Sequence, residues 1–180
     1  LVILESSIFR DIVEMEKSSL AKRSRKLFTL SAFYNACSSL IQELATGDLE
    51  KDAKIARDYW EAVAKQFPAW IQVKEGHMPA SEVRETFIHS HGIVLQALGR
   101  AGNELMKSKP DHWKKELPAL QQIDWSRKNT RTWEGRAMHL GVVQKKNANI
   151  TLTTNLIKQT LGLELNTEEL ETEEQHTQSR

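Results

Sequence analysis

The sequence predicts a mainly α-helical protein: a helical bundle around one central buried helix, with a small β-hairpin near residues 137–153. Apolar residues recur at three- and four-residue steps through most of the chain, which is typical of helices with a buried face. Alternation of apolar and polar residues is confined to one short stretch. The central helix is predicted from a set of apolar residues that covers most of its girth: Ile93, Val94, Ala97, Leu98, Ala101 and Leu105.

Three glycines in or beside this central helix predict close packing. Gly92, Gly99 and Gly102 each cost about 1 kcal/mol relative to alanine inside a helix. Their presence therefore indicates close approach of neighbouring backbones or local bending. We expect a bend or break near Ser90, which can serve as the N-cap of the second half.

The amino-terminal half reads as three helices with recognisable start and stop signals. Ser7 can cap a first helix of about ten residues, and Thr29 begins a second helix that runs to about Ala45. Asp48 begins a third helix, which Pro68 ends. The short turn between the second and third helices predicts an antiparallel helical hairpin.

Residues 68–80 read as a connector with a short helix around Trp70–Val73, and Ser81 starts a helical turn that runs through Phe87 into the central helix. After the central helix, a further short helix begins at Pro110. The β-hairpin is then predicted from alternating apolar residues, with a turn at 147–149 and a return strand through Ile150 and Leu152. Thr153 is expected to cap a last helix that Gly162 ends.

Charge separates a basic body from an acidic tail. Residues 164–180 hold six Glu and only Arg180, a balance of −5, which leaves +6 for residues 1–163 because the whole chain carries +1. We expect 1–163 to be a single helical domain and 164–180 to be disordered or a marginal helix. The chain lacks an initiating Met, so we read it as a fragment of a longer protein. No apolar run reaches the roughly 20 residues of a membrane span, which favours a cytoplasmic protein without membrane contact.

Two basic segments are candidates for contact with nucleic acid. The first is the cluster Lys22, Arg23, Arg25 and Lys26. The second is the segment 124–136, in which aromatic surface is combined with positive charge: Trp125, Arg127, Lys128, Arg131, Trp133 and Arg136. Alternatives stay open at this point, since the first cluster can be a solvated loop and the two tryptophans can be a wedge in the core. Lys145 and Lys146 could extend such a surface.

The His89-Ser90-His91 sequence has residue types that are common in catalytic and metal sites. Residues two apart point to different sides of a helix and no further ligands stand nearby, so no metal is expected. Core histidines, or a polar pocket of His89, Ser90, His91 and Arg100 for an anion, fit better. Glycine-rich phosphate loops and nucleophile elbows are missing from the sequence, so no cofactor is predicted. Cys37 lies among apolar residues and reads as an inert core thiol.

Several of these stretches together resemble one family. They are Phe28-Thr-Leu-Ser-Ala-Phe-Tyr-Asn-Ala, Trp60-Glu-Ala-Val, Phe87-Ile-His-Ser-His-Gly-Ile-Val-Leu-Gln-Ala-Leu-Gly-Arg, Ile123-Asp-Trp-Ser-Arg and Trp133-Glu-Gly-Arg-Ala-Met. In this order they are similar to the carboxy-terminal half of DndB-type DNA sulfur modification proteins, within the wider group named for an Asp-Gly-Gln-His-Arg signature. That signature is absent from this chain.

The resemblance implies a role in bacterial DNA phosphorothioation, in which sulfur replaces a non-bridging oxygen of the backbone. It implies an accessory, non-enzymatic regulator that binds duplex DNA near its own operon, while partner proteins carry out the sulfur chemistry. Its expected partners are DNA, an absent amino-terminal domain and other DNA sulfur modification proteins, with homo-oligomers left open. The alternative is a protein–protein docking module that does not touch DNA, and an enzyme acting at the His89–Arg100 bend is the least favoured reading.

Overall fold

The computed structural model describes residues 1–179 and is mainly α-helical, as the sequence predicts. The α-helices are α1 (Val2–Glu5), α2 (Phe9–Ile12), α3 (Leu30–Ile41), α4 (Leu49–Ala64), α5 (Pro68–Lys74), α6 (Ala80–Thr86), α7 (Gly92–Ser108), α8 (Trp113–Glu116), α9 (Thr130–Trp133), α10 (Asn147–Thr160) and α11 (Thr167–Gln178). The strands are β1 (Val13–Glu14), β2 (Phe28–Thr29), β3 (Met138–His139) and β4 (Val142–Val143), and 3₁₀ turns span Ile88–Ser90 and Leu117–Gln122. None of these helices has the length and hydrophobicity that crossing a membrane requires.

Helix α7 is the central buried helix that the sequence predicts. Most of its side chains between Ile93 and Leu105 are buried, and α3 and α10 pack along it. Its glycines permit this packing: a Cβ at Gly99 would lie 2.3 Å from the Ala36 carbonyl oxygen of α3. A Cβ at Gly102 would lie 2.3 Å from the ring of Tyr59 in α4. The predicted close approach is therefore confirmed, although the two glycines meet different helices.

The first predicted helix is shorter than expected. Only Phe9–Ile12 is helical, and Ser6 rather than Ser7 accepts hydrogen bonds from the following backbone, at Ile8 and Phe9. The chain then becomes extended, because β1 pairs in parallel with β2 and Val13 is fully buried. This pairing joins parts of the chain on either side of the basic cluster, so residues 15–27 form a loop that returns to the same place.

The starts of α3 and α4 are as predicted. The Thr29 hydroxyl accepts from the Ala32 amide, and the Asp48 carboxylate accepts from the amides of Glu50 and Lys51. The break before α7 is also present. However, His91 is the N-cap residue, while the Ser90 hydroxyl donates to the carbonyls of Val83 and Phe87 and so ties the break to α6.

The hairpin lies within the predicted region but is much shorter. β3 pairs with β4 through a turn at Leu140-Gly141, where both residues have positive φ angles of 49° and 73°. The predicted return strand is wrong, because residues 147–160 form α10. Ile150, Thr154 and Ile157 share the buried helical face, and the Thr154 hydroxyl donates to the Ile150 carbonyl within the helix. Thr154 is polar by residue type, so the apolar residues alone do not show this helical period. Ile150 and Leu152 then give the appearance of a strand-like alternation.

The acidic tail carries the helix α11, which is one of the two alternatives that the sequence leaves open. Asn166 and Glu169 form a reciprocal capping box at the start of this helix. The Glu169 carboxylate also accepts from Lys158 of α10 at 2.7 and 2.9 Å, and the Lys158 side chain is only 6% exposed. The tail is therefore held by specific ion pairs rather than by apolar surface, which composition does not reveal. The predicted boundary at residue 163 stays a prediction.

Candidate nucleic-acid interface

The loop that carries the first basic cluster is held by Arg84 of α6. The Arg84 guanidinium donates to four backbone carbonyls of this loop, at Ala21 (3.3 Å), Lys22 (2.8 Å), Ser24 (3.3 Å) and Lys26. Because the carbonyls turn toward Arg84, the loop has a defined path. The side chains of Lys22, Arg23 and Arg25 remain exposed.

The second basic segment is attached to the same arginine. The Arg127 guanidinium donates to the Arg84 carbonyl at 3.3 Å and to the Gly141 carbonyl at 2.8 Å. The Arg127 amide donates to the Thr86 carbonyl at 2.9 Å. The side chain of Arg84 thus holds one basic segment and its main chain holds the other, which brings the two predicted segments together.

Beside Arg84, which is bonded to both segments, lies a cleft of about 560 Å³, here called the polar cleft. Arg84, Ser90, His91 and Lys145 contribute to its lining together with several hydroxyl and amide side chains, and none of its lining residues is acidic. Such a lining matches the needs of a phosphate group, which accepts hydrogen bonds and carries negative charge.

The pKa of His91 indicates that the electrostatic potential in the polar cleft is positive. Burial, together with the positive charges of Arg127, Arg84 and Lys145, lowers the pKa of His91 to about 4, although a hydrogen bond to the Arg84 carbonyl opposes this shift. The ring is therefore neutral at physiological pH. Three cations acting on one buried group indicate a positive potential at this point of the surface.

We define the basic face as the cations of the two basic segments that are joined through Arg84, together with Arg84 itself and Lys145 of the polar cleft: Lys22, Arg23, Arg25, Arg84, Arg127, Lys128 and Lys145. Within residues 1–179 no member of this face forms an ion pair with a carboxylate. Glu85 is a nearby acid, since it lines a small cavity with Arg127 and Lys128. The ion pairs found among residues 1–179 involve none of these cations, so the positive charge of the basic face stays available to an external anion.

Trp125 and Trp133 do not belong to this surface. They stack on one another with ring centroids 5.4 Å apart, and they are 8% and 0% exposed. Their indole nitrogens donate to the backbone carbonyls of Leu120 and Asp124. This burial supports the alternative of a core wedge, and stacking of either ring on nucleic acid stays a prediction.

The remaining predicted contacts are divided. Arg136 is only 12% exposed and donates to both carboxylate oxygens of Glu173, at 2.7 and 2.8 Å, so it is not available to a phosphate. The Lys26 ammonium donates to the Asp11 carbonyl at 2.7 Å. Arg131 is exposed on α9.

The predicted polar pocket of His89, Ser90, His91 and Arg100 is not formed as one site. Ser90 and His91 line the polar cleft, whereas His89 accepts a hydrogen bond from the Trp70 indole in an aromatic cluster. Arg100 donates to the Asn147 side chain at 2.9 Å and lines a separate cavity. The 3₁₀ turn before α7 places adjacent residues on different faces, which separates the two histidines. Sequence reasoning missed Arg84, whose role depends on a loop 60 residues away.

Comparison with known protein families identifies a family for this chain. The model of the DndB family, described as DNA-sulfur modification-associated, matches residues 1–164. The chain belongs to the DndB family. No curated protein and no solved structure matches the chain. Membership in the DndB family associates the chain with DNA sulfur modification, while its place in the Asp-Gly-Gln-His-Arg group and in a carboxy-terminal half stays a prediction.

The thiol of this DndB-family chain is Cys37, which is half-buried on α3. Burial raises the pKa of the Cys37 thiol to about 12. The thiolate, which is the nucleophilic form, is therefore scarce at physiological pH. Among residues 1–179 no three His, Cys, Asp or Glu side chains come together in an arrangement suited to a metal ion.

Proposed function

We propose that this DndB-family chain is a DNA-binding accessory and regulatory protein of phosphorothioation, and that it contacts the duplex backbone through the basic face. The observation that carries the proposal is the convergence of both basic segments on Arg84 without a carboxylate partner. Phosphate contacts of this kind are largely independent of base sequence and supply affinity through release of counterions. The choice of an operator then has to come from other contacts.

The polar cleft is the natural place for one phosphate within this surface. Arg84 and Arg127 are already committed to backbone carbonyls, so they contribute charge rather than free donors, while the exposed side chains of Lys22 and Lys145 supply mobile donors. The neutral His91 adds no repulsion or attraction of its own at physiological pH. A DNA strand crossing the basic face would thus meet charge on both sides of the cleft.

The direct test replaces Arg127 and Lys128 of the basic face with Ala, together with Arg131, the exposed arginine that follows them on α9. The variant should bind duplexes of any sequence more weakly, and its slope of log affinity against log salt should fall by up to about three units. The variant also loses the hydrogen bonds from Arg127 to the carbonyls of Arg84 and Gly141, so the free energy of unfolding should fall by roughly 1–3 kcal/mol and affinities are compared under conditions where the variant is folded. The matched control removes three exposed lysines of α4 and its C-cap, at Lys51, Lys54 and Lys65, and should leave the slope unchanged. Equal slopes for the wild type and the triple variant would favour the alternative of a docking module.

A further inference from the structure

A second cleft, here called the aromatic cleft, lies between the start of α5, the 3₁₀ turn at Ile88–Ser90 and residues 121–125. It has a volume of about 480 Å³, and Phe67, Phe87 and Trp125 supply aromatic walls. Phe87 is half-buried and stacks on His89 with ring centroids 4.8 Å apart. An open cleft with several aromatic walls suits a flat ring rather than an aliphatic chain.

His89 contributes a polar group to this apolar site. The side chain lines the cleft and the residue is only 4% exposed. The Trp70 indole donates to His89 Nδ1 at 3.0 Å, so the ring proton is on Nε2. Nε2 has no hydrogen-bond partner among the residues that the structure describes. Burial lowers the pKa of His89 to about 3, with the neighbouring His91 acting in the same direction, and the ring is a neutral donor.

The rim of the aromatic cleft offers further donors and acceptors. Gln72 is exposed, and its side-chain amide makes no hydrogen bond within residues 1–179. Asp124 accepts from the Ser126 amide through one carboxylate oxygen, which leaves the other oxygen as an acceptor. The negative charge of Asp124 disfavours a phosphate inside the cleft, whereas the N–H groups on the edge of a nucleobase can donate to it.

The aromatic cleft adjoins the basic face through a short stretch of chain. Trp125 lines the cleft, and Arg127, two residues later, belongs to the basic face. Both Trp125 and Arg127 are held against residues 86–88. The Ile88 amide donates to the Trp125 carbonyl, and the Arg127 amide donates to the Thr86 carbonyl. A base in the cleft would therefore lie close to cations that bind its flanking phosphates.

We propose that the aromatic cleft binds a single unpaired nucleobase, with its ring against Phe87 and Trp125 and its polar edge on His89, Gln72 and Asp124. The proposal rests on the proposed function, because we take the bound nucleobase to be one that is extruded from duplex DNA. A free nucleotide offers the same chemistry and is the other source. Stacking of one base on aromatic side chains typically contributes a factor of about 5 to 150 in affinity.

The test compares a duplex carrying a one-nucleotide bulge with the same duplex fully paired. The wild type should bind the bulged duplex at least about tenfold more tightly. Phe87→Leu, which keeps apolar bulk but removes the ring, and Gln72→Ala should lose this preference while binding the paired duplex unchanged. Phe87→Tyr is the matched control and should retain it. A wild type that binds both duplexes equally would overturn the inference and leave the proposed function intact.

If the protein binds no duplex, the proposed function is contradicted. A second measurement then tests the aromatic cleft on its own. Deoxynucleoside monophosphates are titrated against the tryptophan fluorescence of the protein, since Trp125 lies in the cleft. Saturable quenching that Phe87→Leu abolishes supports the cleft as a site for a free nucleotide. Absence of quenching overturns it.

Discussion

At the scale of single residues, Arg84 has the largest consequences for the basic face. Its guanidinium fork satisfies carbonyls of a loop that has little secondary structure of its own, and its carbonyl receives Arg127 and His91. A planar group with five donors suits this task, whereas a lysine would offer one compact ammonium. Burial lowers the pKa of Arg84 below its ordinary value, yet an arginine remains protonated at physiological pH.

Replacing Arg84 with Ala should release the loop at residues 21–26. The lost hydrogen bonds should lower the free energy of unfolding by roughly 1–3 kcal/mol. Trypsin under native conditions should also cut faster after Lys22, Arg23 and Arg25, because the loop can then adopt the extended form that proteases bind. Urea denaturation and timed digestion check the two effects. Arg10→Ala, at an exposed position of α2, is the control; equal digestion of both variants would mean that Arg84 does not hold the loop.

Glu173 provides a prediction on pH. Burial raises the pKa of its carboxyl group, but the hydrogen bonds and charge of Arg136 outweigh burial and lower the pKa below the ordinary 4.5. A lowered pKa in the folded state stabilises the fold at pH above the ordinary value, and this contribution is lost as the pH falls below about 4.5.

Glu173→Gln should therefore lower stability at pH 7, by roughly 1–3 kcal/mol, and should change it little at the acid end of the range. Circular dichroism melting between pH 7 and pH 3.5 measures the difference. Glu174→Gln, at an exposed neighbouring position, should behave as the wild type does. A constant gap between Glu173→Gln and the wild type at every pH would contradict an ionic role for Glu173.

At the scale of elements, α7 positions the site because both clefts lie near its amino-terminal end. His91 is its N-cap residue, and His89 belongs to the 3₁₀ turn before it. The position of α7 depends in turn on its backbone contact with α3 at Gly99, where no side chain fits beyond hydrogen. A shift of this contact would move the elements that carry Arg84 and His91 relative to β2 and α3, which form the other side of the polar cleft.

Gly99→Leu should overpack this contact and lower the free energy of unfolding by roughly 1–3 kcal/mol. Ser38→Leu adds similar apolar bulk at an exposed position of α3 and should cost far less. Thermal unfolding of the two variants is compared with that of the wild type. A Gly99→Leu protein as stable as the wild type would show that α7 is not the tightly packed centre of the fold.

At the scale of the whole molecule, local signals could be predicted and distant pairings could not. Thr29 and Asp48 act on amides two or three residues away, so their caps are legible in the sequence. The period of α7 is legible for the same reason. The bonds from Arg84 to residues near 22 and from Arg136 to Glu173 join positions 37 or more apart, and nothing in a local pattern says which loop crosses which helix.

The candidate site shows the same division between local and distant information. The charge of Lys22 to Lys26 and of residues 127–131 could be recognised from sequence, and so could the tryptophans as large apolar groups. Their burial could not, because Trp125 and Trp133 stack on each other only after the 3₁₀ turn at Leu117–Gln122 and α9 have folded against the core. Sequence therefore suggested the cations of the interface, and the fold placed both tryptophans outside the basic face.

The central claim is that two basic segments form one DNA-binding surface, and the salt dependence of duplex affinity between 50 and 200 mM salt tests it most directly. Three proteins are compared with the wild type: one with Lys22, Arg23 and Arg25 replaced by Ala, one with Arg127 and Lys128 replaced by Ala, and one with all five changes. The account predicts slopes reduced by up to about three, two and five units, since each lost phosphate contact removes about one. An unchanged slope for either partial variant, or wild-type affinity that does not depend on salt, would contradict it.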